Sequence, residues 1–158
     1  MGLQLTSSAF ENNGIIPTAF TCDGEDKSPA LSWDGIPEGA QSLVLIMDDP
    51  DIPESVKRAR GITVFDHWVV FNIPPSTLGV AEGEEPTGAS GSNSSGLTGY
   101  KGPCPPDREH RYIFRLYALD TILELSVGST KEEVLRATEG HVLGQAELAG
   151  RYNRPGNR

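Results

Sequence analysis

Three side chains able to bind a ligand or move a proton, Asp49, His67 and His110, each stand where an apolar run begins or ends, 18 and 43 residues apart. Asp48-Asp49-Pro50-Asp51-Ile52-Pro53 closes one run, and Asp66-His67-Trp68-Val69-Val70-Phe71-Asn72 opens another. The stretch Gly99 to Asp120, G-Y-K-G-P-C-P-P-D-R-E-H-R-Y-I-F-R-L-Y-A-L-D, delivers His110 from a loop of Gly and Pro onto a third. Glycine and proline hold backbone shapes that other residues resist, so such a loop can present an imidazole at a pocket mouth. Spacing alone does not bring the three together, because strand ends can lie at either pole of a sandwich.

Three chemistries compete if they converge. Two His and one Asp suit zinc or iron(II), but no H-x-x-x-H or H-x-H pair pre-organises ligands. Acyl transfer needs a nucleophile at a strained elbow; no G-x-S-x-G occurs, and Cys104 lies between Pro103 and Pro105 in a loop that does not itself lower a thiol pKa. The third is an anion pocket, with imidazole donors, Tyr112 and the backbone N–H of Gly102 around a phosphate or carboxylate, and Asp49 orienting a His or receiving an amine. Near-neutral histidines predict an affinity that changes between about pH 5 and 8. Each residue also has an ordinary structural use: a strand-end His is commonly hydrogen-bonded in place, and a D-D-P-D run is commonly turn chemistry. His141 follows a helix break and reads as structural, and Trp33 and Trp68 as core aromatics, with Trp68 opposite His67.

The elements that must position these residues are mostly strands. Leu3, Leu5 and Phe10 suggest an N-terminal edge strand, and Leu31-Ser32-Trp33 a short one. Ser42 to Asp48 is apolar on both faces and belongs at a sheet centre. Asp66 to Ile73 is a second interior strand, with His67, Val69, Phe71 and Ile73 predicted on one face. Arg111 to Leu119 is the longest predicted strand. Ile52 to Phe65 reads as a charged loop with a short strand at Ile62 to Phe65, and Glu82 to Thr98 as an exposed, mobile loop. Thr130 with Glu133 three residues on is a capping box that starts a helix broken by Gly140. A further helical turn and a last strand ending near Tyr152 follow. The expected fold is mainly β, two packed antiparallel sheets with one or two short helices near the C-terminus.

At 158 residues the chain suits one domain, 1–158, large enough to bury about 70% of its unfolded surface. A formal net charge of -9 disfavours nucleic acid and anionic membrane surfaces. Local basic groups remain at Lys57, Arg58 and Arg60, and at Arg151, Arg154 and Arg158. Met1 to Phe10 has no basic n-region or apolar h-region, and no run approaches spanning length, so the expectation is a soluble, cytoplasmic protein without integral membrane contact. Cys22 and Cys104 read most simply as reduced residues in or beside loops, with a redox-linked bridge as the alternative.

Five ordered motifs add a resemblance: F-T-C-D-G-x-x-x-S-P-x-L-S-W (Phe20 to Trp33), D-D-P-D-x-P (Asp48 to Pro53), D-H-W-V-V-F-N-I-P (Asp66 to Pro74), G-Y-x-G-P-C-P-P (Gly99 to Pro106) and H-R-Y-x-F-x-L-Y-A-L-D (His110 to Asp120). Together they closely resemble the phosphatidylethanolamine-binding protein family, in its bacterial and archaeal, Raf kinase inhibitor-like branch. The resemblance implies two antiparallel sheets packed face to face and a small pocket for phosphate, acetate or phosphoethanolamine-like groups. Its residues would be Asp49, Pro53, His67, Gly102, Pro103, His110 and Tyr112. The histidines would donate to the anion, Gly102 would offer its N–H, and Tyr112 and the prolines would form the wall. The resemblance implies ligand binding without catalysis, metal or cofactor; a protein partner such as a kinase or protease, and a homodimer, follow by analogy with relatives. Ile52 stands where the family usually has Ala, adding bulk at the pocket rim, and the basic loop from Lys57 to Phe65 is longer than in many bacterial members.

Overall fold

The computed structural model describes residues 2–158. Among the described residues there are nine strands: β1 (Gln4–Thr6), β2 (Gly14–Ile15), β3 (Leu31–Asp34), β4 (Ser42–Asp49), β5 (Phe65–Ile73), β6 (Gly79–Val80), β7 (Ala89–Ser90), β8 (His110–Leu119) and β9 (Val142–Tyr152). Two helices, α1 (Glu54–Arg60) and α2 (Lys131–Thr138), accompany them. A six-stranded sheet runs β2-β9-β8-β4-β5-β7 and a three-stranded sheet β1-β3-β6; every pairing is antiparallel except β2 with β9. Among the described residues no helix is long and apolar enough to cross a membrane.

The patterning explains the layers. All eight residues of β4 are buried, as its two-faced apolar run requires, and it sits between β5 and β8. Leu43, Leu45, Met47, Trp68, Val70, Tyr112 and Phe114 fill the space between the sheets with Leu5, Leu31 and Trp33. Val44, Ile46, Val69, Phe71 and Leu119 face the other way, under Val134 of α2. Truncating one of these fully buried side chains, such as Leu45→Ala, removes about 2 to 5 kcal/mol. Thr130 caps α2 as its sequence predicts: its hydroxyl accepts from the Glu133 N–H, and the Glu133 carboxylate accepts from the Thr130 N–H. At Gly140 φ is +80°, the left-handed backbone that ends the helix.

Four expectations give way. The charged stretch after Pro53 is the helix α1, so a helix also lies mid-chain, besides α2 and the short 3-10 turn Pro155–Asn157 near the C-terminus. Seven residues are too few to show a helical period, though Glu54 in the first turn, Lys57, Arg58 and Arg60 in the last, and Gly61 at φ +66° suit a helix dipole and its end. The segment from Val142 is strand throughout, the longest at 11 residues. Part of 82–98 is tied down: Ala89 and Ser90 pair with β5, and Asn93 is buried.

The fourth concerns β5. Its register against β4 shifts between Met47 and Asp48 and again between Leu43 and Leu45. Each extra residue flips the alternation. Val69 and Phe71 therefore face α2, Trp68, Val70 and Ile73 join the core between the sheets, and His67 turns to pack on Tyr112 from that same core. His67 does not share a face with Val69 and Phe71.

Candidate functional site

At one end of the sandwich β4, α1, β5, β8 and the 101–106 loop enclose a cavity of about 190 Å³. Of the seven candidate residues, Asp49, Pro53, His67, Gly102, His110 and Tyr112 line it. Pro103 does not. It is buried within the loop, where its carbonyl accepts from the Cys22 N–H at 3.1 Å, and Pro105 and Pro106 form that part of the wall instead. Ile52 contributes a buried apolar side chain, in keeping with bulk at the rim. The residues that motif reasoning missed are Val56 and Arg60 of α1, with Phe65 and Lys101. Recognising a helix at Glu54 to Arg60 would have found the first two, since i and i+4 share a face.

The His110 ring, fully buried, is held from both sides. Nδ1 lies 2.5 Å from Asp49 Oδ2 and Nε2 lies 2.7 Å from Asp107 Oδ1. Burial pulls its pKa down, but the two carboxylates outweigh burial and raise it. Burial, the largest single influence on Asp107, pushes its pKa up, but the His110 and Arg108 contacts together outweigh it and draw the carboxyl below its usual range. Asp49 Oδ1 accepts from the Asp51 N–H at 2.7 Å, the Asx turn of the D-D-P-D run. Of the two uses foreseen for Asp49, the geometry takes the imidazole. Asp51 turns outward to Arg111, whose guanidinium and backbone N–H hold its pKa down to about 2.

His67 differs. Its Nδ1 lies 2.6 Å from the Lys101 carbonyl, and a carbonyl can only accept, so Nδ1 carries the proton. Burial lowers the ring to about pKa 4, with the Lys101 carbonyl opposing. The ring is neutral at physiological pH, which removes it from the predicted pH 5 to 8 window. Tyr112 stands edge-on to His67 at 5.3 Å, and its buried hydroxyl has no hydrogen-bond partner among the described residues. Burial raises its pKa.

The loop that carries this wall is stitched to the segment around Phe20. The Tyr100 hydroxyl donates to the Phe20 carbonyl at 2.7 Å, and the Gly102 N–H donates to Asp26 Oδ1 at 2.9 Å. That N–H is therefore not free for an anion, contrary to the sequence expectation. A Cβ at Gly102 would meet the Phe20 carbonyl at 2.5 Å, so glycine is needed for the close approach. Cys22 and Cys104 are bonded to each other across 82 residues, with Cα atoms 5.5 Å apart, which overturns the expectation of two reduced thiols. Only the docking of the two loops, invisible in spacing, makes the bridge. Among the described residues no group of three or more His, Cys, Asp or Glu side chains is arranged to hold a metal ion.

The cavity wall is mainly apolar, from Ile52, Pro53, Val56, Phe65, Pro105 and Pro106, with cations at its rim. Arg60 lies over the Phe65 ring at 5.3 Å and donates to the Ser94 carbonyl; neither it nor Lys101 pairs with a carboxylate among the described residues.

Comparison with known proteins agrees with this geometry. The family model for phosphatidylethanolamine-binding protein matches residues 6–153. A UPF0098 protein of Methanothermobacter thermautotrophicus is 53% identical over 96% of this chain and 99% of its own length. A Chlamydia trachomatis crystal structure, described as a phosphatidylethanolamine-binding protein homologue, superposes with a TM-score of 0.91 at 43% identity, covering 97% of this chain and 98% of that one. Escherichia coli YbcL gives 0.86 at 28% identity, over 98% and 99%. A carboxypeptidase Y inhibitor solved with its cognate proteinase shares the fold alone, at 0.50 and 17% identity over 94% and 81%. The β-sandwich, the five ordered motifs and these matches together establish that the chain belongs to the phosphatidylethanolamine-binding protein family.

Proposed function

We propose that this protein binds a small phosphorylated or otherwise anionic group in the cavity between β4, β5 and β8, and that it binds rather than transforms it. One observation carries the reading: Tyr112, whose buried hydroxyl has no hydrogen-bond partner among the described residues, lines a 190 Å³ apolar cavity that Arg60 and Lys101 also line. A buried polar atom left unsatisfied costs about 1 to 3 kcal/mol, which a ligand oxygen accepting from it would recover. A phosphate suits this inventory, with its oxygens at Tyr112 and the rim cations outside it. Among the described residues Cys104 of the cavity wall is bonded to Cys22 and both His110 nitrogens are engaged, which supports binding over covalent catalysis.

Calorimetric titration with phosphate and phosphoethanolamine at about pH 6 tests the proposal. Tyr112→Phe removes only the unpartnered hydroxyl, so the fold should persist while affinity falls tenfold or more, as expected for a hydrogen bond to a charged group. No heat with the native protein, or equal affinity for the variant, would overturn it.

A second reading, regulation of a protein partner such as a kinase or protease, is favoured by the basic end of α1, where Arg58 is exposed beside Arg60. Replacing Lys57 and Arg58, which do not line the cavity, separates the two: lost partner binding with intact phosphate binding assigns function to the surface. The same reading allows a homodimer, tested by light scattering.

A further inference from the structure

The hydrogen-bonding inventory of the cavity is narrower than its charge suggests. The Gly102 N–H is spent on Asp26, and both His110 nitrogens are spent on Asp49 and Asp107. His67 gives its one proton to the Lys101 carbonyl, so Nε2 presents a lone pair. The groups that face this ring are Asp48 and Asp49 of β4, Phe65 of its own strand, Tyr112 of β8, Lys101 of the loop and Arg60 of α1 across the cavity. Burial outweighs these carboxylates and holds the ring neutral. Apart from the charged Arg60 and Lys101 at the rim, what remains for a ligand is one donor, the Tyr112 hydroxyl, and one bare acceptor, His67 Nε2.

A group seated against both must accept from Tyr112 and donate to His67. A fully ionised phosphate or carboxylate has only acceptors, and would set a lone pair against that of His67. Resting on the anion-pocket reading of the same site, we infer that the pocket selects the protonated form of an oxyacid: the hydrogen phosphate monoanion of a phosphomonoester, in preference to its dianion and to a phosphodiester. The P–OH donates to His67 Nε2, and a second phosphate oxygen accepts from Tyr112. The monoanion keeps the one charge that the rim cations answer. A diester has that charge but no proton to give, so it lacks half of the contact.

Calorimetry on the full chain with methyl phosphate and dimethyl phosphate tests this. With a second phosphate pKa near 6, the monoanion fraction drops about 25-fold between pH 5.5 and 7.5, and methyl phosphate affinity should drop with it. Dimethyl phosphate should bind at least about tenfold more weakly at pH 5.5, the loss of one hydrogen bond to a charged group. A fluorinated methylphosphonate, whose second pKa is lower, should show the same fall at correspondingly lower pH. If both titratable ligands lose affinity at one shared pH, a protein group is responsible and the inference fails. It fails equally if the diester matches the monoester. If no anion binds at any pH, the anion-pocket reading itself falls. Short-chain phosphatidate presents the same monoester on a lipid. Tighter binding than methyl phosphate, with the same pH dependence, supports the inference and assigns the source to lipid; equal binding supports it with a soluble monoester.

Discussion

Asp48 and Asp49 are chain neighbours at the end of β4, yet they serve opposite faces of the sheet. Asp48 turns toward α2, where its Oδ2 meets Arg115 at 2.6 Å and Lys131 at 3.3 Å; the Lys131 ammonium also lies 2.7 Å from Asp66. Two buried acids are answered by two cations, one from β8 and one from α2. Asp49 turns toward the cavity, where it shares His110 with Asp107. There two acids are answered by one imidazole, and the polar atoms beyond it, Tyr112 hydroxyl and His67 Nε2, are left for something else. Asp48 Oδ1 also lacks a hydrogen-bond partner, but it does not line the cavity. Buried charge closed by cations from other elements holds a fold together. Buried polarity left open beside a cavity is what the proposed site rests on.

The sharpest way to break this contrast is Lys131→Met. It strips the shared cation from two buried carboxylates and should cost about 3 to 5 kcal/mol, read from the urea midpoint, while phosphate affinity of the folded fraction stays within about twofold. A large change in affinity would show that the two clusters are coupled.

The next effect belongs to His67. Its pKa falls from the model-peptide value of 6.5 to about 4 on folding, so between those values the unfolded chain binds more protons. Stability is therefore full above about pH 6.5 and is lost as pH falls toward 4, by roughly 3 kcal/mol in total. His67→Gln should flatten that part of the urea-midpoint profile between pH 7 and pH 4. A profile unchanged by the substitution would locate the acid sensitivity elsewhere. His110, raised by its carboxylates, works in the opposite sense: its contribution is present below about pH 6.5 and is lost as pH rises through its folded pKa.

Smallest is Asp107→Ala. This half-exposed carboxylate caps His110 Nε2, and an exposed ion pair is worth about 0.2 to 1 kcal/mol. Its removal frees His110 Nε2, a donor when the ring is protonated, and should tighten phosphate binding at pH 5.5 by up to about fivefold in calorimetry. Weaker binding would mean that Asp107 orients the ring rather than competing with the ligand.

Much of the fold was legible because it depends on local pattern. The two-faced apolar run of Ser42 to Asp48 has no place except a sheet centre, and the Thr130/Glu133 box states a helix start within four residues. Five motifs in order carried the family. Less local features were hidden. The bulges of β5 arise from pairing with β4, and without them strict alternation puts His67 on the wrong face. The helix α1 was too short to show a period.

At the site, residue types and motif order determined which residues would gather: six of seven meet at one cavity. Tertiary structure alone decided what each could still do. The Gly102 N–H goes to Asp26, 76 residues away, the His67 proton to Lys101, and His110 to Asp49, while Cys22 reaches Cys104 across the docked loops. A hydrogen bond is spent on whichever partner packing brings within about 3 Å, and sequence spacing carries no record of that choice.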